Sequence, residues 1–194
     1  MKMKIGLFGG TFDPVHRAHC ELAHQALKQF ELEHLFWIPA AVSPFKKSAD
    51  VLASPKDRLA MIQLVCEDEP RFEVSDHEIN KGGVSYSIDT LRYFQRLFKS
   101  AQFFWILGAD ALRGVSQWKE SESLMRDLIF LVAGRGNKVL DMPKELKVLP
   151  VEMQAHSTSS SEIKTGLKEG KCWDEMDVRV AQYIRKNQLY GIAQ

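Results

Sequence analysis

The sequence predicts an α/β fold with a doubly wound, mostly parallel sheet and helices on both of its faces. The first observation is a set of short runs rich in apolar, β-branched or aromatic residues, which are typical of buried strands. These runs lie at residues 5–8, 35–38, 72–75, 103–107, 128–132 and 148–151. The second observation is that stretches with helical spacing separate the runs. Strands that alternate with helices favour parallel pairing, because parallel neighbours need a crossover connection, which is nearly always right-handed.

Helical spacing and helix-start signals lie between the apolar runs. Between the first two runs, apolar residues recur on one helix face: Ala18, Leu22, Ala23, Ala26, Leu27 and Phe30. Ser54, followed by a proline, predicts a capped helix start. Ser87 precedes a further amphipathic stretch, and Ser159 with Glu162 has the capping-box spacing. We expect the last helix to open at Asp174.

The length and composition fit one globular domain over residues 1–194. Of the 194 residues, 45% are hydrophobic and 26% are charged, which excludes disordered and collagen-like proteins. The formal net charge is +1, so the overall balance gives no indication of nucleic-acid binding. No apolar run approaches the roughly 20 residues that cross a bilayer, so no membrane association is expected. Three cysteines without CxxC spacing, and an N-terminus that does not resemble a signal sequence, predict a cytoplasmic protein.

The loop after the first apolar run is the most informative segment. It has the sequence GGTFDPVHRAH over residues 9–19 and begins with Gly9 and Gly10. Two glycines allow the backbone to turn sharply and approach a ligand, and the helix start that follows supplies unpaired N–H groups, a combination suited to phosphate. The segment matches neither the dinucleotide fingerprint GxGxxG nor the Walker loop. The simpler alternative is a strand-to-helix turn in which the glycines serve geometry alone.

Two histidines strengthen the phosphate hypothesis. His16 and His19 are three residues apart, which puts both imidazoles on one face of the first helical turn. An imidazole that donates a hydrogen bond stabilises negative charge on a phosphate oxygen in a transition state. A metal site of Asp13, His16 and His19 is the alternative, but a second ligand cluster and the HExxH spacing are missing, so we expect no metal held by the protein. The other four histidines are expected to cap or pack.

The motifs, in their order along the chain, resemble those of a known enzyme family. Residues 9–19 resemble the nucleotide-binding signature of the HxGH nucleotidyltransferase superfamily, and the later motifs are similar to those of the bacterial nicotinate-mononucleotide adenylyltransferases. These motifs are PFK at residues 44–46, SYSIDTL at 85–91, LGAD at 107–110, WK at 118–119 and SSSEIK at 159–164. The resemblance runs from the first strand to the final helix, and it implies a Rossmann-like nucleotidyltransferase fold.

The resemblance implies adenylyl transfer in NAD biosynthesis. The 5′-phosphate of nicotinate mononucleotide would attack the α-phosphorus of ATP, giving nicotinate adenine dinucleotide and pyrophosphate. Mg²⁺ would arrive with the triphosphate and keep mostly phosphate and water ligands. The alternatives are the same chemistry on nicotinamide mononucleotide or phosphopantetheine, and a sensor that binds ATP without turnover. A homo-oligomer is compatible with the sequence.

The resemblance also assigns residues to each substrate. His16 and His19 would act on the ATP phosphates, with His19 at the α-phosphate. The ATP site would further include Gly9, Gly10, Thr11, Phe12, Lys46, Gly108, Asp110, Arg135, Ser160, Ser161 and Lys164. The pyridine mononucleotide would bind at Tyr86, Ser87 and Trp118, where the indole stacks on the pyridine ring and helix-start amides hold the carboxylate.

Two of these assignments have structural alternatives. The carboxylate of Asp110, which follows a strand and a glycine, suits a ribose diol, and it also suits the cap of the next helix. Trp118 offers a flat face for a pyridine ring, although a tryptophan without further context is more often part of the core. The SYSIDTL and LGAD motifs around it favour stacking. The other three tryptophans lack such a context and are expected in the core or at its edge.

Four positions depart from the family pattern. Ala18 replaces the glycine of HxGH and adds one methyl group at the helix start. Phe45 replaces a loop histidine and removes its polar contact. Lys164 replaces an arginine, so it offers a point charge where the arginine offers a bidentate fork. Arg135 lies between two glycines rather than before a proline.

Overall fold

The computed structural model describes residues 2–45, 48–134, 146–154 and 159–192, and its centre is a six-stranded sheet. The strands are β1 (Lys4–Gly10), β2 (His34–Pro39), β3 (Phe72–Val74), β4 (Gln102–Leu107), β5 (Leu128–Gly134) and β6 (Val148–Glu152). Each of the six apolar runs forms one of these strands. The strand order is β3-β2-β1-β4-β5-β6, and all five neighbouring pairs are parallel. The prediction of a parallel α/β sheet is therefore confirmed.

The sheet has one position at which its direction of winding reverses. β1 pairs with β2 on one side and with β4 on the other, so the chain builds the sheet outward from this central pair in both directions. In open parallel sheets, ligands bind beyond the carboxyl ends of the strands at such a position. The loops that begin at Thr11 and Gly108 lie there, so the sheet topology selects the same two segments as the sequence motifs.

Helices follow the strands in the predicted alternation. Within the described residues they are α1 (Arg17–Gln29), α2 (Pro55–Cys66), α3 (His77–Lys81), α4 (Ser87–Leu97), α5 (Ala109–Leu112), α6 (Ser121–Asp127), α7 (Ser160–Lys168) and α8 (Val178–Lys186). Leu22, Ala23, Ala26 and Leu27 form the buried face of α1, as their spacing predicts. The side chain of Ser54 accepts a backbone N–H in the first turn of α2, which confirms the predicted cap.

The last helix begins later than predicted. Residues Trp173–Glu175 form a 3₁₀ turn, and α8 begins at Val178 with Asp177 as its N-cap. The Asp177 carboxylate accepts the N–H of Arg179 at 2.8 Å. The prediction that the helix opens at Asp174 is therefore wrong, because Asp177 is the aspartate whose side chain satisfies a first-turn amide.

Two apolar cores lie on the two faces of the sheet. One core joins the sheet to α1, α2, α7 and α8 and includes Leu27, Ile62 and Val180. The other joins the sheet to α4 and α6 and includes Leu91 and Leu124. Helices therefore cover both faces, as the doubly wound prediction requires. Among the residues that the structure describes, none of the helices has the length and apolar character needed to cross a membrane.

Candidate active site

Aromatic rings shape the turn that follows β1. A Cβ atom at Gly10 would lie 2.9 Å from the Phe12 ring, and one at Gly9 would lie 2.9 Å from the Trp105 ring. Phe12 has a φ of 51°, in the left-handed region, and only 2% of it is exposed. Close packing therefore accounts for both glycines. The same packing leaves Gly9, Gly10 and Thr11 along the wall of a cavity.

His16 and His19 form a close pair at the start of α1. His16 is the N-cap residue and is 7% exposed, and the centroids of the two imidazole rings are 3.8 Å apart. The backbone N–H of His16 donates a hydrogen bond to Nδ1 of His19 at 3.3 Å. Because Nδ1 accepts this bond, a neutral His19 carries its proton on Nε2. The start of α1 therefore sets the tautomer of His19.

The start of α7 lies against His16. Nε2 of His16 is 3.1 Å from Oγ of Ser160, although the two residues are 144 positions apart. Ser159 caps α7 and forms a capping box with Glu162, as predicted. The first-turn N–H groups of a helix, here those of Ser160 and Ser161, have no partner within the helix. We call His16, His19, Ser160 and Ser161 the helix-start corner; two positive helix ends and two imidazoles suit it to an anion.

A buried ion pair lies next to the helix-start corner. Nζ of Lys164 is 3.0 Å from Oδ2 of Asp13, and the two side chains are 13% and 1% exposed. Asp13 also accepts the backbone N–H groups of Leu52 and Ala53, each at 3.0 Å. Burial acts to raise the pKa of Asp13, but these two N–H donors and the Lys164 ammonium hold it below its usual value. Lys164, predicted at the ATP phosphates, is thus the partner of Asp13 in this structure.

The contacts of Asp13 concern the alternative in which Asp13, His16 and His19 together bind a metal ion. Both carboxylate oxygens of Asp13 already accept hydrogen bonds, so this side chain does not form a ligand trio with the two histidines. In the described part of the chain, no group of three His, Cys, Asp or Glu side chains could hold a metal ion. The residues present fit a site in which an anionic ligand meets N–H donors.

A buried arginine ties the glycine turn to the next loop. Arg58 is 1% exposed, and its Nη1 donates to the carbonyl of Thr11 at 2.8 Å. Its Nη2 donates to the carbonyl of Ala40 at 2.7 Å. One guanidinium group therefore joins the loop after β1 to the loop after β2. Arg58 fixes the backbone on which the predicted ATP-site residue Thr11 lies.

A cavity of about 540 Å³ opens beside the glycine turn. Seven of the predicted site residues line it: Gly9, Gly10, Thr11, Tyr86, Ser87, Asp110 and Trp118. The structure therefore brings the three predicted pyridine-site residues together with four of the predicted ATP-site residues. We call this space the aromatic cavity. The turn at residues 9–11 connects it to the helix-start corner.

Two aromatic rings pack around Trp118 in the wall of the aromatic cavity. Trp118 is half-buried, and the centroid of its ring is 6.2 Å from that of Trp105, at an interplanar angle of 75°. On another side, the Phe45 ring lies 6.1 Å away at 31° and is largely exposed. Trp118 is thus a wall of a cavity rather than a buried core residue. The stacking of a pyridine ring on its face stays a prediction.

The start of α4 faces the same cavity. Tyr86 is the N-cap residue and Ser87 is the first helical residue. The first-turn amides of α4 lack partners within the helix, so they can donate to a ligand. Nζ of Lys119 lies 4.6 Å from the centroid of the Tyr86 ring. A helix start and a cation therefore meet at one wall of the aromatic cavity.

The loop after β4 carries Gly108 and Asp110. Gly108 is the N-cap residue of the short helix α5, so the cap position does not belong to Asp110. The Asp110 side chain is 93% exposed and pairs with Arg113 one turn later. It also lines the aromatic cavity. A contact between this carboxylate and a ribose diol stays a prediction.

Further residues line the aromatic cavity without having been predicted, among them Trp105, Ser85 and Glu78. Trp105 was expected in the core, and it is 3% exposed, but the edge of its ring reaches the cavity. Oγ of Ser85 accepts the backbone N–H of Ala41 at 3.0 Å. Glu78 is 6% exposed and accepts a hydrogen bond from the hydroxyl of Thr90, and burial raises the pKa of its carboxyl group. Of these three residues, only Ser85 belongs to a motif identified in the sequence, as the first residue of SYSIDTL.

Two predicted ATP-site residues, Lys46 and Arg135, lie outside the described residues. Their assignment to the triphosphate rests on the motifs alone. Two described cations near these motifs in the fold have other partners: Lys164 pairs with Asp13, and Arg58 donates to backbone carbonyls. The residues that define the helix-start corner themselves offer N–H, hydroxyl and imidazole groups.

Sequence comparison finds relatives over the full length of the chain. The cytidylyltransferase-like family matches residues 7–166. A protein of Opitutus terrae described as a "Probable nicotinate-nucleotide adenylyltransferase" is 39% identical over 197 residues, covering 99% of this chain and 100% of that protein. A protein of Neisseria gonorrhoeae with the same description is 37% identical over 201 residues, covering 96% of this chain and 98% of that protein.

Solved structures share the architecture. Plasmodium falciparum nicotinic acid mononucleotide adenylyltransferase complexed with NaAD superposes with a TM-score of 0.82 at 20% identity, covering 100% of this chain and 99% of that one. The same protein complexed with APC gives a TM-score of 0.79 at 21% identity, covering 98% of each chain. At these identities the likeness shows the fold, and it confirms the Rossmann-like nucleotidyltransferase architecture. From the full-length sequence matches, the chain belongs to the cytidylyltransferase-like family and, within it, to the nicotinate-nucleotide adenylyltransferases.

Proposed function

We propose that this chain transfers the adenylyl group of ATP to nicotinate mononucleotide, forming nicotinate adenine dinucleotide and pyrophosphate. Its relatives from Opitutus terrae and Neisseria gonorrhoeae carry the name of this activity. The observation that carries the proposal is the turn at residues 9–11. It lines the aromatic cavity together with Tyr86 and Trp118, and it leads directly into the helix start that holds His16 and His19. One turn therefore borders a site for a ring and a site for an anion.

The helix-start corner would receive the ATP phosphates. Attack by a phosphate oxygen on the α-phosphorus needs no protein nucleophile, so positioning and charge stabilisation carry the reaction. His19 would present its Nε2–H to the α-phosphate, because its Nδ1 already accepts the N–H of His16. His16 and Ser160, held 3.1 Å apart, would bind the neighbouring phosphates. Negative charge that develops on the phosphate oxygens would then meet fixed donors.

ATP would enter as its magnesium complex. The oxygens of Asp13 already accept N–H donors, so the ion would keep phosphate and water ligands rather than a protein cage. When bound, Mg²⁺ neutralises part of the charge on the triphosphate. The residues of this chain then have to orient the α-phosphate, which is the role that we assign to the two histidines.

The aromatic cavity would receive the acceptor. Trp118 offers a half-buried indole face for the pyridine ring, and Trp105 supports that indole from the core. The first-turn amides at Ser87 would hold the pyridine carboxylate, and the exposed Asp110 would accept hydrogen bonds from a ribose. Since the three cysteines are free, we propose the cytoplasm as the compartment.

The direct test is pyrophosphate release from ATP with a set of acceptors. We expect rapid release, together with formation of the dinucleotide, with nicotinate mononucleotide, and slower release with nicotinamide mononucleotide or phosphopantetheine. A reaction without acceptor controls for ATP hydrolysis. If the protein binds ATP but forms no adduct with any acceptor, the proposal is wrong and the ATP-sensor alternative gains support.

A further inference from the structure

One face of α7 contacts the start of α1 at two points. The first is Ser160, the first residue of α7, whose Oγ is 3.1 Å from Nε2 of His16. The second is Lys164, which lies on the same helix face one turn later. Its Nζ is 3.0 Å from Oδ2 of Asp13, three residues before the N-cap residue His16. Two polar contacts one turn apart therefore join the helices whose first turns form the helix-start corner.

The ammonium group of Lys164 is directed at acceptors within the protein. It donates hydrogen bonds to the carboxylate of Asp13 and to the backbone carbonyl of Asp50. An ammonium group has three N–H donors, so two of them are used in these contacts. The carboxylate of Asp13 also offsets the positive charge at hydrogen-bond distance. The pair as a unit carries no net charge, so its attraction for a triphosphate is small.

The same ion pair holds the segment between β2 and α2. Asp13 accepts the backbone N–H groups of Leu52 and Ala53, each at 3.0 Å, and Lys164 donates to the carbonyl of Asp50 in the same segment. Three parts of the chain therefore meet at one buried ion pair. Because a buried charge without its partner is strongly unfavourable, the pair favours a single arrangement of these parts.

We propose that Lys164 and Asp13 are positioning residues that set the spacing between the first turns of α1 and α7. Lys164 thus acts through Asp13 rather than on the phosphates. The inference rests on the proposed function, since that function places the ATP phosphates at the helix-start corner. Phosphate donors from both helices have to be in register when the α-phosphate reacts, and a misplacement of about 1 Å costs up to about 10²-fold in rate.

The test measures kcat and the KM for ATP in Lys164→Met, in Asp13→Asn and in the double variant, below the melting temperature of each. We expect kcat to fall by about tenfold in each single variant. The double variant should be no slower than the slower single variant, because all three lose the same contact. The matched control is Lys168→Met, which removes an exposed lysine one turn further along α7 and should leave both constants unchanged.

A direct contact between Lys164 and the phosphates predicts a different pattern. Asp13→Asn would then free the ammonium group and remove a negative charge near the triphosphate, so ATP binding would be kept or strengthened. Wild-type kcat in Asp13→Asn would overturn the proposal, and so would a higher KM for ATP with unchanged kcat in Lys164→Met. Losses in kcat that multiply in the double variant would also overturn it. The double variant leaves no unpaired buried charge, so the test remains possible if Asp13→Asn does not fold.

The imidazole NMR signals of His16 separate this inference from the proposed function. They report the placement of α7, because Nε2 of His16 lies against Ser160. We expect these signals to shift in Lys164→Met and in the double variant but not in Lys168→Met. If the wild type transfers no adenylyl group to any acceptor, the proposed function fails. Unshifted His16 signals in Lys164→Met would instead show that the ion pair does not position α7.

Discussion

The helix-start corner and the aromatic cavity rest on different kinds of support. Beneath the corner lies the ion pair of Asp13 and Lys164, whose side chains are 1% and 13% exposed. The cavity wall at Trp118 is tied to α4 by Arg92 and Glu120, whose side chains are 48% and 40% exposed. Removing one partner of a buried ion pair strongly lowers the free energy of unfolding, whereas an exposed ion pair contributes little to it. The corner therefore depends on a buried charge pair, whereas the pair at the cavity wall is exposed and should matter less for stability.

The largest expected effect is on the chemical step at the corner. His19→Ala removes the imidazole predicted at the α-phosphate, and we expect kcat to fall by about 10²–10³-fold, as for the loss of one transition-state donor. The melting temperature should change little, because His19 is only partly buried. Steady-state kinetics and thermal denaturation measure the two quantities.

The matched control is His24→Ala on the same helix, whose ring packs beside Phe72 at 4.7 Å between centroids. We expect its kcat to equal that of the wild type. If His19→Ala keeps wild-type turnover, the corner is not the site of phosphate chemistry, and the contrast between the two regions loses its functional meaning.

The next effect is on stability at the same corner. Asp13→Asn leaves Lys164 without its counter-charge, and we expect the free energy of unfolding to fall by about 3 kcal/mol. Glu31→Gln is the control, because it breaks an exposed pair with Lys4 and should cost less than about 0.5 kcal/mol. Urea denaturation at pH 7 measures both. Equal changes in the two variants would contradict the idea that the corner depends on buried charge.

The same substitution has a pH signature. Burial acts to raise the pKa of Asp13, but two backbone N–H groups and Lys164 hold it below the ordinary value of about 3.8. The stabilisation by ionised Asp13 is therefore fully present above that value and is lost as the pH falls through the lower pKa of the folded state. The difference in unfolding free energy between wild type and Asp13→Asn should shrink as the pH falls below about 4. A difference that stays constant as the pH is lowered further below about 4 would argue against the ion pair.

A smaller effect is expected at the cavity wall. Trp118→Ala removes the predicted stacking surface, and we expect the KM for nicotinate mononucleotide to rise by about tenfold while the KM for ATP changes by less than twofold. Trp118→Phe keeps a flat ring and should recover most of the affinity. A rise in both KM values would show that Trp118 shapes the whole site, so the two regions would not be separable.

The fold and the corner had local signals in the sequence, which is why both could be predicted. Apolar runs give strands, and the i,i+3 spacing of His16 and His19 gives a shared helix face. The ion pair between Asp13 and Lys164 could not be predicted, because 151 residues separate its members and only the folded sheet brings them together. The role of Lys164 was assigned to phosphate from its motif, without knowledge of this partner.

The aromatic cavity was harder to predict than the corner. Trp105 lies within a strand and is almost fully buried, so its sequence context is that of any core residue. Its contact with the cavity follows from the position of the loop after β4. Glu78 lies in a five-residue helix with no motif, and its burial follows from the packing of α3 on β2. Such residues are identified only by the assembled structure.

Glu78 is the exception to the contrast between the two regions, because it is a buried ionisable group at the aromatic cavity. Burial raises the pKa of its carboxyl group above the ordinary value of about 4.5, against the hydrogen bond from Thr90. A raised pKa means that the protonated form stabilises the fold, and this contribution is lost as the pH rises through the pKa of the folded state. The wild type should therefore lose stability through this residue as the pH rises above about 4.5.

Glu78→Gln keeps an oxygen that accepts from Thr90 and has no proton to lose. We therefore expect the stability of the variant, relative to the wild type, to be higher at pH 8 than at pH 5. Urea denaturation of the wild type and the variant at the two pH values measures the change. If the relative stability of Glu78→Gln is the same at both pH values, ionisation of the buried Glu78 carboxyl group does not destabilise the fold. The contrast with the ion pair beneath the helix-start corner would then be sharper, since buried charge would matter at that corner alone.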